Sequence, residues 1–158
     1  MRPMYASLAS SYPSRQSVPA AALFEEIGWD APSPGQREDD TGAMRVSVAL
    51  LRAGARIPGR VNVSRGRFKG QRIEPLQTRL ALLLTHPSLL GRPEIYQSGA
   101  LAEAGIGQRR GVVSYWSCGP AARSEGHIEL LAPDGAGPPG CGAVCYREAA
   151  QVWFWPLR

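Results

Sequence analysis

Lysine is almost missing from this chain: of 18 basic residues only Lys69 is not arginine. Such one-sided usage reflects coding bias more than a physical requirement, so the formal charge of +5 is a weak guide to function. Long hydrophobic runs are absent too. Nothing approaches the ~18 apolar residues that a membrane span needs, and the opening MRPMYASLASSYPSR lacks the uninterrupted apolar stretch of a Sec signal. Three cysteines are too few for a disulfide-dense miniprotein. With two histidines and no second cysteine pair, no structural zinc site, and no other metal or cofactor, is expected. At 44% hydrophobic and 20% charged residues, the composition argues against wholesale disorder.

What remains is a chain of 158 residues, long enough for one domain, 1–158, with a real core. Its first half reads as helices. Arg2 to Ser11 places Met4 and Leu8 at helical spacing before Pro13. Pro19 opens AAALFEEIGW, with Leu23, Phe24 and Ile27 as an apolar stripe and Gly28 as a cap. Residues 30–41 read as loop. Asp39, Asp40 and Thr41 then offer N-caps to GAMRVSVALLRAG, where Ala43, Val46, Ala49, Leu50 and Ala53 form an inner face with Arg45 and Arg52 on another. A strand-like or irregular segment follows, then a helix from Glu74-Pro75 that ends at His86-Pro87. His86 there needs no chemical role. After residue 110 the pattern changes to strands at 111–116, 126–131 and 151–157. Helices first and strands later indicate an α+β fold.

Candidates for chemistry are few. His127 opens a strand, shares its face with Glu129, and is placed either as a general base or as a structural histidine. A reactive cysteine is favoured at a helix N-terminus, where the dipole stabilises thiolate. DDTGAMR provides that platform, but the residue on it is Gly42. Cys118, in SCGP, reads as a turn residue. Cys141 and Cys145 either close a short disulfide loop or stand as a reduced pair. Arg65, Arg67, Lys69 and Arg72 form a basic cluster with Phe68 as its sole aromatic. This fits a solvated loop or a patch facing an acidic partner better than a nucleic-acid site.

Taken together, these pieces resemble the fourth family of type VI secretion amidase effectors, which are papain-like and NlpC-like cysteine peptidases. The family's N-T-C-A-x-R motif with its following Ser stands here as D-T-G-A-M-R-V-S, residues 40–47. Its G-H-(I/V)-x-L stands as Gly126-His127-Ile128-Glu129-Leu130, and its C-x-x-x-C as Cys141 to Cys145. The opening PMYASLASSYP, LFEEIGW and the closing VWFWPL extend the likeness over nearly the whole chain.

The resemblance implies a papain-like α+β fold, with N-terminal helices on an antiparallel sheet from the C-terminal half and a cleft between the helix at 42 and the strand at 127. It also implies a toxin passed by the type VI machinery into a rival's periplasm, where it cuts an amide bond of the peptidoglycan stem peptide. Its partners would be stem peptides, secretion components and an immunity protein. A bridge between Cys141 and Cys145 would suit that oxidising destination. Two departures change the expectation for this chain. Gly42 occupies the nucleophile position, and the family's third catalytic residue, an Asp between the paired cysteines, is replaced by Gly142, Ala143 and Val144. Asp134 or Glu129 would have to take its role. The expected reading is a degenerate homologue, inactive as an amidase, that binds cell-wall peptide or a partner. The alternatives are an engineered inactive form of an active toxin and a fold reused for other chemistry.

Overall fold

The computed structural model describes residues 2–29, 41–118, 126–132 and 145–158. Asp134, Cys141 and most of the 30–41 loop therefore lie outside the described residues. Helix α1 (Tyr5–Ser11) begins three residues later than its periodicity suggests, and α2 (Ala20–Ile27) follows Pro19 and ends at Gly28 in the left-handed conformation. Helix α3 (Gly42–Arg52) starts after Thr41 and stops at Ala53.

Every α3 residue from Gly42 to Leu51 is buried. Arg45, on a different face from the apolar stripe, is buried as well and only 1% exposed. A helix apolar on nearly all sides belongs at the centre of a fold. One face of α3 (Ala43, Val46, Ala49, Leu50) packs with the sheet, the other (Met44, Val48, Leu51) with α2, Val63 and Ile73.

The irregular segment is a two-stranded antiparallel pair, β1 (Val61–Asn62) and β2 (Arg72–Ile73). Helix α4 (Gln77–Leu84) begins later than its Pro75 signal suggests. The buried Glu74 carboxylate accepts from the Leu76 N–H (3.1 Å) and pairs with Arg60 (3.1 Å) and Arg79 (3.5 Å), holding residues 74–76 outside the helix. Ser47 of α3 anchors the same stretch by donating to the Glu74 carbonyl (3.1 Å). Strand β3 (Glu94–Tyr96) and helix α5 (Gly99–Ile106) come next, without a strong sequence signal.

The main sheet has the order β3-β6-β4-β5, with β4 Gly111–Cys118, β5 His127–Leu131 and β6 Ala149–Pro156, all pairs antiparallel. Cys118 is the last residue of β4 and not part of a turn. One sheet face carries Val112, Ile128, Leu130 and Trp155 against α1, α3 and α4. The other carries Val113, Leu131, Val152 and Phe154 against α5. Strand β5 is an edge strand, and what covers it is the N-terminal end of α3.

Candidate functional site

The site lies where α3 meets β5. Thr41, just before the helix, is fully buried, and its hydroxyl accepts from Arg45 Nε at 2.8 Å. Four residues separate them, one helical turn, so the pair closes locally. The rest of the Arg45 guanidinium is spent on the chain between α1 and α2, donating to the carbonyls of Pro13 (2.6 Å) and Val18 (2.7 Å). Arg45 thereby fixes residues 12–18 beside the helix start.

That connection delivers two side chains to Glu129. Tyr12 donates its hydroxyl to Oε2 at 2.6 Å, and Arg15 donates to Oε1 at 2.7 Å. Tyr12 and Glu129 are 6% and 3% exposed, whereas the Arg15 side chain is half exposed. Burial raises the Glu129 pKa. Arg15, the Tyr12 hydrogen bond and the nearby His127 and Arg45 act against that rise without cancelling it. Burial and the neighbouring carboxylate hold the Tyr12 phenol well above its usual value, so it remains a donor.

Gly42 sits directly against this group. A Cβ built there would lie 2.3 Å from the Ile128 carbonyl oxygen and 3.0 Å from Glu129 Oε1. Non-bonded carbon and oxygen do not approach to 2.3 Å, and the obstructing atom is strand backbone, which cannot rotate away. On the side facing β5 there is therefore no room for a side chain at residue 42. A carboxylate beside the first turn of a helix is favourably placed in the dipole field. The Glu129 carboxylate lies in that field, beside the first residue of α3.

His127 is half-buried, one residue from the Ile128 carbonyl, with its ring 5.6 Å from that of Tyr115 on the adjacent strand. The structure thus brings Gly42, His127 and Glu129 into one neighbourhood. The third-residue candidate Asp134 and the cysteine Cys141 fall outside the described residues, and Cys145 lies on a short turn before β6. Thr41, Tyr12, Arg15 and Arg45 are the site residues that sequence reasoning missed. Among the described residues no cluster of His, Cys, Asp and Glu could hold a metal ion.

A helix N-terminus set against the edge strand that bears a histidine, on an antiparallel sheet with helices on both faces, defines a papain-like, NlpC-like α+β protein. The family model for type VI secretion system amidase effector protein 4, Tae4, matches residues 39–155, and the chain belongs to that family. The fold is similar to that of Tae4 in the Tae4–Tai4 effector–immunity complex from Salmonella Typhimurium, with 16% identity, full coverage of both chains and a TM-score of 0.67. It is also similar to the corresponding complex from Enterobacter cloacae, with 15% identity, full coverage and a TM-score of 0.59. Free Tae4 from Enterobacter cloacae gives 16% identity over all of this chain and 98% of that one, with a TM-score of 0.62. No curated protein matches the chain by sequence.

Proposed function

We propose that this chain is a degenerate Tae4-family effector that has lost covalent amidase chemistry and uses the remaining surface to bind cell-wall stem peptide or a protein partner. The observation that carries the reading is the Ile128 carbonyl at 2.3 Å from the Cβ position of residue 42. A chain that had merely exchanged its cysteine would keep the room a side chain needs. Here strand backbone fills that room, which favours a site reshaped around glycine over an engineered knockout. Without a nucleophile a triad loses most of its rate enhancement, and the hydroxyl of the preceding residue, Thr41, is buried and bonded to Arg45.

In this reading residues 1–158 form one domain that is carried by the type VI machinery to the target-cell periplasm and is neutralised by a cognate immunity protein. His127 keeps the general-base position, and the tentative third residue is Asp134. Cys141 pairs with Cys145, supported by the bonded state of Cys145 and by the oxidising destination. Calorimetry with a purified disaccharide stem peptide tests the binding role. Saturable binding by the native chain without product formation is expected. Toxicity of the unaltered chain in the periplasm of a test cell would instead favour a fold reused for other chemistry.

A further inference from the structure

A concavity lies at the opposite end of α3, about 14 Å along the helix axis from Gly42 at 1.5 Å per residue. Its volume is about 420 Å³, within the range of sites that hold a small ligand or a few side chains. Ile27, Val48, Leu51 and Val63, each under 5% exposed, contribute the floor, and Phe68 stands at one side. The rim carries Arg52, Arg65, Arg67 and one acid, Glu26.

The charges on this rim are unequal in their commitments. Arg52 is used internally: it bonds the Ser11 carbonyl at 2.9 Å and pairs with Glu26. The carbonyls that end α2 are also satisfied, because Ser64 donates its N–H to Ile27 (3.0 Å) and its hydroxyl to Gly28 (2.8 Å). Arg65 and Arg67 are therefore not needed as helix caps. Both are exposed and neither has a hydrogen bond or ion pair among the described residues. The Arg67 guanidinium lies 5.6 Å from the Phe68 ring centroid. The loop that presents them is well defined, closed by hydrogen bonds from Gly70 N to the Val63 carbonyl (2.8 Å) and from Gln71 N to the Phe68 carbonyl (2.9 Å). Two exposed guanidinium groups without partners among the described residues, above an apolar floor, match a ligand that carries negative charge and an apolar side chain together.

We infer that this concavity binds an acidic peptide segment of a protein partner, with carboxylates on Arg65 and Arg67 and an apolar residue against Val48, Leu51 and Phe68. A nucleic-acid strand would need further stacking rings beside Phe68 and a longer cationic track. The inference is independent of the chemistry at Gly42.

The test uses the full chain, isotopically labelled, titrated at low salt with the blocked pentapeptide DLDFD. Saturable amide shifts are expected at Ile27, Leu51, Val63 and Phe68. The charge-reversed pair Arg65→Glu/Arg67→Glu should weaken binding about tenfold or more, while Arg56→Glu, exposed and outside the concavity, should not. The apolar-free DGDGD and the cationic KLKFK should bind at least about tenfold more weakly than DLDFD. Equal binding of DGDGD would reduce the site to a simple anion site and overturn the proposal. Equal binding of KLKFK, or indifference to the double reversal, would also overturn it. Adsorption to phosphatidylglycerol vesicles without peptide binding would assign the face to a lipid surface instead.

Discussion

The two ends of helix α3 use the same residue chemistry to opposite effect. At the N-terminal end the side chains of Thr41, Arg45, Tyr12 and Glu129 are all bonded within the fold. Arg45 holds Thr41 and two carbonyls, and Glu129 takes Tyr12 and Arg15, while the glycine between them has no space for a side chain. At the C-terminal end Arg52 is paired, but Arg65 and Arg67 look over an open apolar floor without polar partners among the described residues. A buried arginine whose donors are spent on backbone organises the fold, whereas an exposed one above a cavity is available to a ligand. In this chain the N-terminal end of α3 is tied into the fold, and the uncommitted charge lies at the other end.

Replacing Arg45 by Met should break the contrast most severely. The carbonyls of Pro13 and Val18 and the Thr41 hydroxyl would lose a buried donor, and stability should fall by about 3–5 kcal/mol in a urea titration. Loss of the arginine at the other end, Arg52→Ala, removes a partly exposed ion pair and one carbonyl contact. A loss of only about 1 kcal/mol is expected.

Between these lies Gly42→Ala. In an ordinary helix that change stabilises by roughly 0.5–1 kcal/mol. Here the methyl must push the Ile128 carbonyl away, so a destabilisation of about 1–3 kcal/mol is expected. A neutral or stabilising result would show that the strand has room to yield. Gly42→Cys carries the same penalty, so a thiol placed there should give an unstable chain and not a restored amidase.

The smallest expected effect concerns pH. Glu129 has its pKa raised in the folded state, so between about 4.3, the unfolded value, and the folded value the native state binds more protons. Its contribution to stability is therefore greatest below that window and declines as pH rises through it. Glu129→Gln should flatten this part of the stability–pH curve, measured as denaturation midpoints at half-unit pH intervals.

Much of this arrangement is legible in the sequence because it rests on local patterns. The α2 segment with its Gly28 stop, the start of α3 at Thr41-Gly42, the three C-terminal strands and the proximity of residues 42 and 127 all follow from periodicity, turn chemistry and the family motif. What is not legible depends on long-range pairing. Nothing local links Tyr12 or Arg15 to Glu129 across more than a hundred residues. Arg45 is charged and by composition belongs outside, and only the bonds at Pro13 and Val18 explain its burial. Strand β3 has three residues and owes its existence to pairing with β6. The tight contact at Gly42 is also invisible in sequence, because the residue type does not reveal that the Ile128 carbonyl lies against it.

The central claim is that the nucleophile position is sealed and the chain does not cleave amides. The most direct measurement is mass-spectrometric detection of peptides released from purified peptidoglycan by the unaltered protein. Release no greater than that from a heat-denatured sample is the result predicted. Release that is saturable and abolished by His127→Ala would contradict it.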